Sequence, residues 1–144
     1  MSFEIKFIGK STDEGELGEI EVDDLDEQFV VPITYWDKQK YESQWQEAIE
    51  RIVNSRSDAN SMLVVSIHDP KEANFIVVWP LYKINNKVYV QNSLIFMDNL
   101  KQPFNEQMIY SFVPERGTIS EDTGEPISEW QISLDDLATW LSRK

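Results

Sequence analysis

Residues 29–53 read FVVPITYWDKQKYESQWQEAIERIV, and this stretch decides the fold because its periodicity changes from strand to helix. From Phe29 to Tyr35 apolar residues alternate, which predicts a strand that Pro32 confines to an edge or a bulge. Asp37 then has the position of a helix N-cap, so we expect a helix near 37–54. Its apolar residues recur every three to four positions: Tyr41, Trp45, Ala48, Ile49, Ile52 and Val53.

Towards the N-terminus, two shorter segments alternate in the same strand-like way. Phe3, Ile5 and Phe7 are separated by charged residues, and residues 10–15 resemble a turn. In residues 19–23 the sequence EIEVD sends Ile20 and Val22 to one face of a strand and three acids to the other. The N-terminal part therefore predicts strands with one wet face.

Towards the C-terminus, apolar runs and turn signals predict more antiparallel strands. Residues 62–67 and 75–82 are rich in Val and Ile and are separated by the turn sequence His68-Asp69-Pro70. Asn85-Asn86 tolerates positive φ and predicts a hairpin into residues 88–96. We further expect a loop at 97–107, a strand at 108–113, a polar loop at 115–126 and a strand at 127–132. The Ser133 box, Ser-Leu-Asp-Asp, then opens a helix near 134–143, with its apolar side chains inward: Leu134, Leu137, Trp140 and Leu141.

These elements predict one domain over 1–144 with an α+β fold. It is mostly antiparallel, with about seven strands and two helices, near 37–54 and 134–143. The 144 residues are enough for a sizeable core, and 41% hydrophobic content is typical of globular proteins.

The charge of the chain is concentrated in two segments. Residues 11–37 contain ten acids and no Lys or Arg, and residues 117–142 contain six more acids, again without a base. The rest of the chain has 10 acids against 13 bases, although the whole chain carries −13. Such a field repels phosphate backbones and attracts a basic protein surface.

The sequence offers few residues for catalysis or metal binding. Cysteine is absent, and His68 is the only histidine. Its position next to Asp69-Pro70 predicts a solvated turn residue better than a catalytic base. Clustered acids could attract calcium, but their spacing does not form a calcium loop. We therefore predict no catalytic residues, no metal, no cofactor and no enzymatic activity. The chain shows neither a leader nor a membrane-spanning run, so we expect a cytosolic protein without a membrane partner.

Two other functions stay open at this point. A carboxylate-dependent enzyme acting on a small or sugar substrate would need a pocket with two carboxylates in unlike environments. A single-stranded nucleic-acid-binding module would set Trp79 and Tyr82 beside bases on one face: Lys6, Lys10, Lys38, Lys40, Lys83 and Lys87. Net charge argues against nucleic acid as a partner. Trp45 and Trp140 are expected in the core, and the aromatics at 35–36 are expected to pack under the helix.

Three segments of the chain resemble the immunity proteins of bacterial contact-dependent growth inhibition (CDI) systems. They are the opening residues 1–10, the strand-to-helix segment from Tyr35 to Ile49, and the closing segment from Ile132 to Leu141. The resemblance extends over nearly the whole length. It implies a protein that binds the C-terminal toxin domain of a CdiA-type effector, one to one, and blocks it inside the producing cell.

The resemblance also implies a toxin similar to the colicins that cut small-subunit ribosomal RNA, and a Whirly-like fold of two packed antiparallel sheets with helices. A ribonuclease needs a basic cleft, which an acidic surface could fill. The predicted toxin-binding residues are the acids of the first segment: Asp13, Glu14, Glu16, Glu19, Glu21, Asp23, Asp24, Asp26 and Glu27. A second candidate patch contains Glu121, Asp122, Glu125 and Glu129.

Overall fold

The computed structural model describes residues 3–119 and 123–144, and within them the chain forms two antiparallel sheets and two α-helices. The strands are β1 Phe3–Thr12, β2 Gly15–Val22, β3 Leu25–Val31, β4 Ala59–Ser66, β5 Phe75–Ile84, β6 Lys87–Gln91, β7 Ser93–Phe96 and β8 Glu129–Ser133. The helices are α1 Lys38–Val53 and α2 Leu134–Ser142, and two 3-10 helices cover Met97–Asn99 and Glu106–Phe112. The expected α+β fold and its predominance of antiparallel strands are confirmed, with eight strands in the described ranges where about seven were expected.

Sheet A contains β1, β2 and β3 in chain order, so each strand pairs with the next through a tight turn. The predicted alternation places Ile20 and Val22 on a fully buried inner face. This face packs on both helices: the ring centroid of Phe7 lies 5.1 Å from that of Trp45 in α1, and Phe3 lies 6.0 Å from Trp140 in α2. The predicted core positions of both tryptophans are confirmed, and the opposite face of sheet A is left to solvent.

Sheet B has the order β4-β5-β6-β8, and β7 continues along β5 beyond β6. The predicted hairpin is present, with Asn85 and Asn86 at φ values of 51° and 70°. The run expected as one strand at 88–96 is interrupted at Asn92, yet Leu81 pairs with Val90 and Val78 with Ser93 in one register. Pro80, which has no N–H, lies between these pairs on β5 and explains the break in the ladder.

The free edge of β4 is covered by side chains of α1. Gln44 donates to the Met62 carbonyl and accepts from the Val64 amide, both at 2.9 Å, and so replaces a neighbouring strand. The Trp45 indole donates to the Val64 carbonyl at 2.7 Å, and Tyr41 accepts from the Ile67 amide at 3.2 Å. Buried backbone groups that lack partners are costly, so this helix is fixed against the sheet by its polar atoms as well as by its apolar face.

Both predicted helix starts are confirmed. The Asp37 carboxylate accepts from the Lys40 amide at 2.8 Å, and the Ser133 hydroxyl accepts from the Asp136 amide at 3.1 Å. Each side chain satisfies an amide that has no partner within its own helix. None of the helices in the described ranges is long and apolar enough to cross a membrane.

The prediction of a strand at 108–113 is wrong, since a 3-10 helix occupies Glu106–Phe112 with a kink at Met108. The residues have high strand propensity, but Asn105 caps this turn by accepting from the Gln107 amide at 2.9 Å. Ile109 is the buried side chain of the segment. Local capping therefore overrides propensity, as it often does where no strand edge is offered.

Two strand boundaries near the N-terminus also differ from expectation. β1 continues to Thr12 across a register shift after Phe7, where Gly9 has a φ of 76°, so the turn is shorter than residues 10–15. β3 covers Leu25–Val31 and ends before Pro32 instead of starting at Phe29. The prediction that Pro32 belongs to an edge is consistent with β3 lying at the edge of sheet A.

Candidate functional site

The outer face of sheet A brings three carboxylates together. Glu19 and Glu21 are two residues apart on β2, and Asp26 lies directly opposite Glu21 on β3. One carboxylate oxygen of each lies within 4.8 Å of those of the other two. We call Glu19, Glu21 and Asp26 the carboxylate triplet. Its oxygens could meet one cation, either a basic side chain or a metal ion.

Partial desolvation and mutual repulsion within the carboxylate triplet affect the pKa of one member, Glu19. The pKa of Glu19 is raised, first by partial desolvation, then by a hydrogen bond to Asp26 and by repulsion from Asp26 and Glu21. Lys6 on β1 acts in the other direction, with its Nζ 3.9 Å from a Glu19 oxygen. The repulsion outweighs the single neighbouring base, so the triplet has unsatisfied negative potential.

The other predicted acids of the first segment occupy three different places. Asp13 and Glu14 lie in the β1–β2 turn, while Asp23 and Asp24 lie in the β2–β3 turn, where Asp23 has a φ of 56°. Glu16 and Glu27 lie opposite Val31 and Ile20, and so face away from the triplet. The expected outward position of Asp23 on a strand is therefore wrong, because the strand ends at Val22.

In the second candidate patch, Glu129 is already engaged within the protein. Arg116 donates to its two oxygens at 2.8 and 2.7 Å, and Gln91 donates to it at 2.7 Å. These contacts hold the pKa of the Glu129 carboxyl below its ordinary value, with the Arg116 hydrogen bond as the largest cause. Glu125 is exposed, and the predicted residues Glu121 and Asp122 lie outside the described ranges.

The arrangement needed for nucleic-acid stacking is not formed by the residues proposed for it. Trp79 and Tyr82 are buried, and Lys83 is only 5% exposed and donates to the Ser55 carbonyl. Lys6 lies in the other sheet. The possibility of an exposed Trp79 platform is thus excluded, since its ring packs 5.8 Å from that of Trp130.

A cleft that the sequence did not reveal opens between Tyr35 and Phe75, and has a volume of about 630 Å³. The other lining residues come from the chain before α1 and from the β4–β5 connection: Thr34, Ser66, His68, Asp69, Glu72, Ala73 and Asn74. Tyr35 is 39% exposed, so the expectation that it packs under α1 is wrong, whereas Trp36 is buried against Tyr41 as expected. No sequence signal connects Tyr35 with Phe75, because only tertiary structure brings them together.

Glu106 holds the segment that precedes α1. Tyr35 donates its hydroxyl to one oxygen of Glu106, and the Trp36 indole donates to the other at 2.6 Å. Glu106 also lines a cavity of about 440 Å³ beside α1, together with Glu47 and Arg51. Because both of its oxygens accept hydrogen bonds from within the protein, Glu106 has a structural role and fixes Tyr35 and Trp36 in place.

Comparison with known proteins identifies the class. The family model described as the CdiI N-terminal domain matches residues 31–140, that is, the chain from the end of sheet A to α2. The chain therefore belongs to the CdiI immunity-protein family. The acids of residues 13–27 precede the matched region.

Two similar proteins match nearly the full length. The immunity protein CdiI of Enterobacter cloacae subsp. cloacae is 35% identical over 127 residues, which cover 86% of this chain and 85% of the relative. A solved structure of the CdiA-CT/CdiI toxin and immunity complex from Enterobacter cloacae superposes with a TM-score of 0.83 at 30% identity. That match covers 98% of this chain and 97% of the other, so sheet A and sheet B are both shared.

Proposed function

We propose that this protein binds the C-terminal toxin domain of a CdiA-type effector and neutralises it in the cell that makes both. The observation that carries the proposal is the match along almost the whole chain to an immunity protein whose structure was solved with its toxin. The family match and the 35% identity to an immunity protein support the same function.

We further propose that the carboxylate triplet on sheet A contacts a basic surface of the toxin. Three carboxylates crowded on one exposed face repel one another, and a cationic partner removes that repulsion. The turn acids Asp13, Glu14, Asp23 and Asp24 extend the same negative field to both ends of the sheet. Glu16 and Glu27 face away from the triplet and contribute only through their charge.

The toxin itself is proposed to be a nuclease that cuts small-subunit ribosomal RNA, as the sequence resemblance implies. An enzyme that grips an RNA backbone presents cationic groups, and a carboxylate surface can occupy them. This immunity protein would then inhibit by competition for charge, with no chemistry of its own.

A co-expression experiment tests the main proposal. The toxin domain encoded directly upstream would be produced in a bacterial host with and without this protein, and growth and ribosomal RNA would be followed. We expect rescue of growth and intact small-subunit RNA only when both are present, and a one-to-one complex on size-exclusion chromatography.

Two outcomes would contradict different parts of the proposal. Failure to bind the upstream toxin domain would sink the immunity function. Binding and rescue of a toxin that leaves ribosomal RNA intact, while attacking another target, would refute only the nuclease assignment. A non-cognate toxin domain serves as the specificity control.

A further inference from the structure

The cleft between Tyr35 and Phe75 has two aromatic walls that are exposed yet held in place. Tyr35 and Phe75 are 39% and 42% exposed. The Tyr35 hydroxyl is bound by Glu106, and that hydrogen bond is the main reason why the pKa of Tyr35 rises to about 12. The Phe75 ring packs 6.1 Å from that of Phe96. Aromatic side chains fixed in advance lose little entropy when a partner covers them.

The cleft is lined by acids and by His68, the one histidine of the sequence. Asp69 and Glu72 line it, and the described lining includes neither Lys nor Arg. Asp69 is close enough to Tyr35 to contribute to the raised pKa of its hydroxyl. One oxygen of Asp69 accepts from the Lys71 amide at 3.0 Å, which fixes the carboxylate while leaving its second oxygen available.

These walls and charges fit one kind of side chain. A guanidinium group is flat, stacks on aromatic faces and binds carboxylates through paired N–H groups. An ammonium group is a strongly hydrated point charge that gains less between two rings. Arginine and aromatic residues are also the residue types most often found at the energetic centre of protein interfaces.

The chain that leads into the cleft lies beside the acidic end of sheet A. A Cβ on Gly15 would lie 2.2 Å from the Val31 carbonyl oxygen, so the β1–β2 turn with Asp13 and Glu14 lies against the chain that leads to Tyr35. We propose that this cleft receives an arginine side chain of the toxin domain, in an inference that rests on the proposed function. One basic surface could then cover the turn acids and place an arginine in the cleft.

Affinity measurements with the cognate toxin domain test the inference. D69N/E72Q removes both charges, while the side-chain oxygen that the first change retains still accepts from the Lys71 amide. F75L keeps apolar bulk but removes the aromatic face. We expect each to weaken binding by about 30-fold, the effect of a hot-spot residue. The matched controls are M108L, an exposed apolar residue outside the cleft, and D98N/E115Q, two exposed acids elsewhere. Thermal unfolding confirms that all variants fold.

A second measurement decides the choice of arginine and does not need the toxin. The ¹⁵N-labelled protein would be titrated with Nα-acetyl-arginine amide and with the lysine analogue while amide chemical shifts are recorded. We expect arginine-specific shifts at residues 34–35 and 66–75. Equal shifts with both probes, or arginine shifts only on sheet A, would overturn the arginine assignment.

The outcomes separate the cleft from the general function. If wild type binds the toxin and both cleft variants stay within about twofold of it, the cleft inference is wrong and the immunity function stands. If wild type does not bind the toxin, the proposed function fails, and so does the assignment of the cleft to a toxin arginine.

Discussion

In the carboxylate triplet, the charges that would attract a basic partner also oppose folding. A raised carboxyl pKa in the folded state means that folding favours the protonated form, so this contribution to stability is present at low pH. It is lost as the pH rises through the folded pKa of Glu19. At neutral pH the triplet is therefore a source of strain that a partner can relieve.

The variant D26N should consequently raise the melting temperature at neutral pH. It removes the neighbour that contributes most to the raised pKa of Glu19 after desolvation. The gain should vanish in acidic buffer, where Glu19 is protonated in either protein. Differential scanning fluorimetry across pH measures this, with E14Q in the β1–β2 turn as control. A melting temperature that falls at neutral pH would contradict the repulsion argument.

Glu129 should show the opposite pH dependence. Its pKa is lowered by Arg116, so its contribution to stability is present above the unfolded pKa and disappears as the pH falls through the folded pKa. We expect E129Q to lower the free energy of unfolding by about 1 kcal/mol at neutral pH, because the bidentate, partly buried ion pair with Arg116 is lost. Urea titrations of both proteins should converge in acid, and E125Q provides an exposed control.

At the scale of elements, the contact between α1 and β4 is the most sensitive to a single polar side chain. Replacing Gln44 with Leu leaves the Met62 carbonyl and the Val64 amide buried without partners. We expect a loss of about 2–4 kcal/mol in the free energy of unfolding, whereas Q46L on the exposed face of the same helix should change it by less than about 0.5 kcal/mol. Chemical denaturation of the two variants distinguishes this from a loss of helix propensity, which both would share.

Elements with a local signal could be predicted from the sequence. Asp37 and Ser133 cap amides three residues further along the chain, and Asn85-Asn86 adopts the positive φ values that the residue type favours. Residues 106–112 could not be predicted in the same way. Their strand propensity had no pairing edge to act on, since the edge of β4 is taken by α1.

Only the part of the candidate site that lies on one alternating strand could be predicted from the sequence. The pattern placed Glu19 and Glu21 on the wet face, but Asp26 joins them through cross-strand register, which the sequence does not show. Likewise, Glu129 belongs to an acidic run in sequence, but in the fold it is paired with Arg116. The sequence therefore shows where acidic residues are concentrated, but it does not show which of them have a partner within the protein.

For the whole molecule, the net charge of −13 should act mainly on the rate of association. We expect toxin association to slow steeply as salt is added, and the variant E19Q/E21Q/D26N to associate more slowly at low salt with a flatter dependence. Stopped-flow fluorescence measures both, and E42Q/D98N/E115Q is a control with the same net charge. If the two triple variants behave alike, the face acts through net charge only.

Sheet A is continuous in sequence, and this has an evolutionary consequence. Its three consecutive strands meet the rest of the protein mainly through the inner side chains, such as Phe3, Ile5 and Ile20. On the outer face, Glu4 accepts a hydrogen bond from the Trp140 indole of α2. A recombination event near Pro32 could therefore exchange the whole meander between relatives while preserving every alternate residue that the helices require. If the outward positions contact the toxin, as proposed, they would then diversify under selection for new toxins, and a lineage could change its partner without having to rebuild its core.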